Sequence, residues 1–244
     1  MTEAKWLARP RHAWPRLCAM IRFLERHDGN RRRLRLFASA CCRGAWDLLR
    51  LGGARGAVEL AEAWADGEVS GAQLAAAHGH PDFARLEAEL SGEGAAEIGL
   101  SYCVVAAIRA ARALASPSPD IPDIARATSL DLARDFPVDS GWARSGEWRG
   151  VRPDEAALGG HLRALRDIFG NPFRPAGFDP RWRTAEVTAL ARGIYEDRAL
   201  DQLPVLADAL MDAGCADDAI LEHCGLKGPH VRGCWVVDLA RGKG

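Results

Sequence analysis

Apolar residues recur at three- and four-residue spacing along most of the chain, and no stretch sustains the period-two alternation of Val, Ile and Thr that a strand requires. The pattern predicts an all-α protein of about ten short helices in an irregular bundle or array. Thr2 can cap a short first turn. Pro15 suits the opening turn of a helix that runs to about Glu25, because its missing N–H would have no intrahelical partner there. Asn30 is a good N-cap for a helix to about Leu49 that lines up Leu34, Phe37, Ala38, Cys41, Ala45 and Leu48 on one face.

Further helices are expected from Arg55 to Ala65, after a Ser70 cap, and after His80-Pro81 with Phe83, Leu86 and Leu90 turned inward. The Ala-rich run from Ala95 to Ala115 reads as a central helix that neighbours can approach closely. Pro117, Pro119 and Pro122 stop it, and a helix resumes from Asp123 to about Phe136. Residues 137–153 lose all period and read as an irregular connection between an N-terminal helical portion, 1–136, and a C-terminal bundle, 154–244. Trp142 and Trp148 within it argue for partial docking, since a solvated linker has no use for two large apolar rings. The C-terminal helices are placed at Asp154 to Phe169, Arg181 to Arg198, Leu203 to Asp212, Ala216 to His223 and Val231 to Ala240.

The chain has 244 residues and is 48% apolar, enough to bury a sizeable core. Charged residues interrupt every apolar run well short of the roughly 20 residues a membrane span needs. The opening MTEAKWLARPRHAWPR carries charges and prolines where a signal peptide needs an unbroken apolar core, so a cytoplasmic location and no membrane partner are expected. Seven cysteines, an odd number without framework spacing, read as buried free thiols.

The net charge of −1 conceals an asymmetry. Residues 1–56 carry 13 Lys and Arg against 4 Asp and Glu, whereas residues 57–140 carry 5 against 14, so the two segments stand near +9 and −9. Arg31, Arg32, Arg33, Arg35 and Arg43 crowd one helix, and cations in its first turn oppose the helix dipole. Mutual neutralisation is therefore expected, with Glu59 and Glu62 the nearest acidic groups in sequence. The alternative use of the Arg31–Arg43 face is association with nucleic acid, which would weaken steeply with salt.

The segments MTEAKWLA (1–8), RRLRLFASACCR (32–43), DIFGNPFRP (167–175), LPVLADALMDAGC (203–215) and GPHVRGCWVVDL (228–239) resemble a large family of planctomycete bacterial proteins to which no activity, substrate or cofactor attaches. The resemblance covers both ends and much of the C-terminal half and is loose from 52 to 152. It implies a helical, cytoplasmic bacterial protein and no particular reaction.

The candidate chemistry lies near the C-terminus. Cys215, His223, Cys224, His230 and Cys234 are all metal-ligand types, and a metal-binding protein using these Cys and His side chains is one alternative. However, the cysteines lie nine and ten positions apart, against the two to four of a zinc knuckle. On spacing alone no metal ligand, catalytic residue or cofactor is assigned. Adjacent Cys41 and Cys42 point about 100° apart on a helix and form no joint site. The segment from Leu210 to His223 has the length of a helix-turn-helix, but Asp217, Asp218 and Glu222 would face phosphate with the wrong charge. Asn171, Arg174, Tyr195, His230, Arg232 and Trp235 are polar or amphipathic groups around irregular turns, the usual place for binding residues on a rigid helical frame. No P-loop, nucleophile elbow, dinucleotide fingerprint or zinc-protease motif is present. The sequence therefore reads first as a non-catalytic module that recognises another protein, a subunit or adaptor.

Overall fold

A computed structural model describes residues 1–91, 102–130 and 154–243. The expected connection at 137–153, with Trp142 and Trp148, lies outside these residues, as does the start of the predicted Ala-rich helix. The helix expected from Asp123 to about Phe136 instead spans Ile121–Ala127, with Pro122 in its first turn and Thr128 closing it, and positions 131–136 of that expectation lie outside the described residues. Among the described residues the protein is helical, with no β-strand. Among the described residues no helix is long and apolar enough to cross a membrane. The all-α expectation holds.

The chain divides into two compact units, one formed by Arg9–Leu162 and the other by Met1–Ala8 together with Arg163–Gly244. The first contains α2 (Ala13–His27), α3 (Arg31–Gly44), α4 (Gly52–Ala65), α5 (Gly71–His78), α6 (Pro81–Ser91), α7 (Tyr102–Leu114) and α8 (Ile121–Ala127). Helix α9 (Glu155–Phe169) begins in this unit and ends in the other. The second unit holds α1 (Glu3–Leu7), α10 (Ala185–Glu196), α11 (Leu203–Asp212), α12 (Asp218–Gly225) and α13 (Trp235–Arg241).

Caps set most of the boundaries. Thr2 accepts from the Lys5 N–H, Asn30 from the Arg33 N–H, and Ser70 forms a reciprocal capping box with Gln73. Asn30→Ala should cost the Arg9–Leu162 unit about 1 kcal/mol, read as a lower urea midpoint. Expected boundaries shift where a later cap or tight turn takes over. The Asn30 helix stops at Gly44 and gives way to a 3₁₀ turn at Trp46–Leu48, where the Arg43 and Arg55 guanidiniums lie over the Trp46 ring at 4.0 and 5.3 Å. Thr184 caps α10, so the chain just after Asp179 is a 3₁₀ turn and not yet the long helix. The last helix starts at Trp235 rather than Val231, because residues 231–233 form a turn with Gly233 at φ 93°.

In the Arg9–Leu162 unit, α4 packs on α3, α5, α6 and α7, and α8 closes against α2, α3 and α7. Phe37, Cys41, Cys42, Val58 and Ile108 are fully buried there. In the other unit, α10 packs on α11 and α13, and α11 on α12. Val187, Ile194, Leu206, Leu210, Ile220 and Val237 form its core. The opening residues belong to this unit for a specific reason. Buried Trp6 donates its indole N–H to the Gly170 carbonyl at 3.0 Å, and the Arg166 guanidinium donates to the carbonyls of Trp6 and Ala8.

Candidate functional site

Asp167 sits two residues before the end of α9, on a helix whose Leu165, Ile168 and Phe169 are buried. Its own side chain is buried as well, so the carboxylate needs donors. It finds three. His230 Nδ1 lies 2.5 Å and His223 Nε2 3.1 Å from Oδ1, while the Val231 N–H donates to Oδ2 at 2.8 Å. The Cys234 Sγ is 3.2 Å from His223 Nε2, and the Trp235 indole N–H donates to His223 Nδ1 at 3.1 Å. On the outer side, His230 Nε2 faces the Leu226 carbonyl at 3.4 Å.

Folding thus gathers α9, the end of α12, the turn 226–233 and the start of α13 around one carboxylate. Gly170 turns the chain at φ 62°, a left-handed conformation that favours glycine, and lies in ordinary contact distance of the Trp235 ring, which a Cβ there would meet at 3.4 Å.

The indole fixes the protonation pattern. Trp donates only, so Nδ1 of His223 presents its lone pair and a neutral ring carries its proton on Nε2, toward Asp167. Burial alone would raise the Asp167 pKa, but hydrogen bonds and charge from both histidines outweigh it and hold the carboxyl below its ordinary 3.8. Burial likewise works to lower His230, and the Asp167 bond and charge, aided by the Leu226 carbonyl, prevail and raise it above 6.5. The thiols respond differently. Burial, then Cys215 and Asp167, push Cys224 up to about 12, and burial with Asp167 puts Cys234 well above the usual thiol range. In the other unit Cys42 is pushed up to about 12 by burial and Glu62. These thiols stay protonated at neutral pH and make poor nucleophiles.

Of the binding residues expected from sequence, the structure brings His230 and Trp235 into this centre. Arg232 stacks over Tyr195 at 4.5 Å, with Arg241 also over the same ring at 3.5 Å, so the buried Tyr195 ring is a cation platform. Asn171 and Arg174 form a third group. Asn171 donates to Glu3 at 2.8 Å, and Arg174 reaches the same carboxylate at 2.8 Å while staying mostly exposed. Cys215 and Cys224 are buried core thiols near the centre, but the mutually close ligand atoms are those of Asp167, His223, His230 and Cys234, all within 4.8 Å of one another. Spacing along the chain missed Asp167, which comes from a different helix. The available signal was a carboxylate embedded in a buried helical stretch, LRDIF, that has no use for an unpaired charge.

The arginine helix is largely engaged within its own unit. Arg43 makes a two-pronged pair with Glu62, and Arg32 with Asp66. Arg33 approaches Asp28 at 3.8 Å, buried Arg35 donates to the carbonyls of Leu114 and Pro117 beneath the Trp64 ring, and Arg31 is exposed. Internal neutralisation therefore accounts for Arg32 and Arg43, with Glu62 as expected and Asp66 in the place foreseen for Glu59. No protein-family model, curated protein or solved structure matches the chain.

Proposed function

We propose that this chain is a non-catalytic interaction module, a subunit or adaptor that recognises another protein through the loop mounted on Asp167. The observation that carries this reading is the contrast within residues 226–234. The base of the loop, His230, Val231 and Cys234, is tied to the buried carboxylate, while the tip, Leu226 to Pro229, is exposed, with Leu226 at 60%. A loop whose base is held before binding loses less conformational entropy on a partner, and an exposed Leu beside Lys227 offers apolar contact with a charge at its edge. Protonated, buried thiols and arginines engaged within the fold support recognition over chemistry.

The test is site-specific photocrosslinking in cells of the native host. A crosslinker at Lys227 should yield one discrete protein adduct that Leu226→Asp abolishes, while the same group at exposed Arg192 yields none. No adduct from position 227, or an identical adduct from position 192, would remove the reading.

A further inference from the structure

The Asp167 centre has the make-up of a transition-metal site. It combines one thiol, two imidazoles and one carboxylate, a set that suits zinc and its neighbours and not magnesium or calcium, which take oxygen ligands. Charge balance favours it too. A divalent ion held by the Cys234 thiolate, the Asp167 carboxylate and two neutral imidazoles sums to zero, the state a buried site tolerates best.

Two of the four groups also have outer partners of the polarity that ligation requires. The Val231 N–H holds Asp167 by Oδ2 and leaves Oδ1 turned toward the histidines. The Leu226 carbonyl can accept the Nε2 proton of His230, fixing the tautomer in which Nδ1 is free to bind.

We infer that Asp167, His223, His230 and Cys234 bind one zinc-class divalent cation in a tetrahedral site that locks the 226–234 loop. This does not depend on the loop's partner and extends beyond the interaction reading. In the hydrogen-bonded state the His223 Nε2 separations of 3.1 and 3.2 Å already approach the edges of a zinc tetrahedron, about 3.3 to 3.6 Å, whereas the His230–Asp167 contact of 2.5 Å must open by roughly 0.8 Å. Binding replaces the Cys234 S–H bond by a metal–sulfur bond and releases that proton to solvent. His230 gives up the Nδ1 proton that it donates to Asp167 in the metal-free state, to Nε2 from a neutral ring or to solvent from an imidazolium, and keeps one proton on Nε2 toward the Leu226 carbonyl. His223 has to carry its proton on Nδ1 instead of Nε2, and so gives up the indole bond from Trp235. Trp235 therefore opposes metal entry.

Cobalt(II) is the probe, titrated into the full chain purified under reducing conditions and stripped of metal. One equivalent should produce a thiolate-to-cobalt charge-transfer band in the near ultraviolet with the intense visible bands of tetrahedral cobalt, and zinc should erase both. Cys234→Ser should lose the charge-transfer band, and Cys18→Ser, at a half-buried thiol of the other unit, should keep it. Trp235→Phe, which removes the competing donor, should tighten cobalt binding about fivefold. Wild-type protein without the charge-transfer band at saturating cobalt overturns the proposal whether or not the variants fold. So does a band that survives Cys234→Ser, and an unchanged or weaker affinity in Trp235→Phe removes His223 from the ligand set.

Discussion

Asp167→Ala should destabilise the Met1–Ala8 and Arg163–Gly244 unit by about 3–5 kcal/mol, the range found when one partner of a buried charged network is removed. Three donors lose their acceptor at once, the His230 ring, the His223 ring and the Val231 N–H, and each buried unsatisfied group costs about 1–3 kcal/mol. Because the chain has two units, one global unfolding midpoint would mix them. Native-state hydrogen exchange separates them. Amides 226–237 and those of α12 should lose protection in Asp167→Ala, while α3 and α4 keep theirs. Uniform protection across 226–237 would show that the carboxylate does not hold the loop. The pH window follows from the two shifts. The depressed Asp167 contributes fully above its ordinary 3.8 and fades as pH falls through its folded value. The raised His230 contributes fully below 6.5 and fades as pH climbs through its folded value. The clamp is therefore worth most between these two limits.

How much of this was legible in the sequence depends on the range of the interaction. Caps act over three residues, so Thr2, Asn30 and Ser70 could be read directly, and each accepts the hydrogen bond its position implies. The shifted ends have the same locality with a competing term. Gly44 and the arginines over Trp46 end the Asn30 helix early, although its apolar face continues in register to Leu48. The acidic counterpart of the arginine helix was legible as a need, since cations in a first turn require compensation, but not as an address. Glu62 and Asp66 face α3, whereas Glu59, one turn earlier, points outward.

The polar centre was the least legible part, and the reason is geometric. Reading cysteine and histidine spacings assumes ligands that arrive in pairs on one turn. Here His223 ends one helix, His230 sits on a turn, Cys234 opens another helix, and Asp167 comes from more than fifty residues earlier. Contacts of that separation are fixed by how α9 packs, which no local pattern encodes. His230 and Trp235 were recognisable as residues that do more than fill space, but their common partner was not. In Tyr195 the same limit appears differently. A tyrosine on an apolar helical face looks like a surface contact, yet its ring is buried, with the guanidiniums of residues 232 and 241 stacked over it.

Acid should loosen the Arg9–Leu162 unit well before it affects the Asp167 clamp, and the cause is His161. This histidine is buried on α9, and its Nδ1 has no hydrogen-bond partner among the described residues. Burial lowers its pKa from 6.5 to about 4, so the folded unit holds it neutral while the unfolded chain takes up a proton. A depressed histidine reverses the sign seen for His230. The folded state suffers no loss above 6.5, loses stability as pH falls through 6.5, and reaches its full deficit near pH 4. The shift corresponds to about 2 kcal/mol at pH 5 and about 3 kcal/mol at pH 4. Between pH 7 and pH 5 the urea midpoint reported by α3 and α4 should therefore drop, while protection at 226–237 holds or rises. His161→Leu should flatten the first response and leave the second intact. An unchanged slope in that variant would place the acid sensitivity elsewhere, and equal slopes in both units would mean that they unfold together.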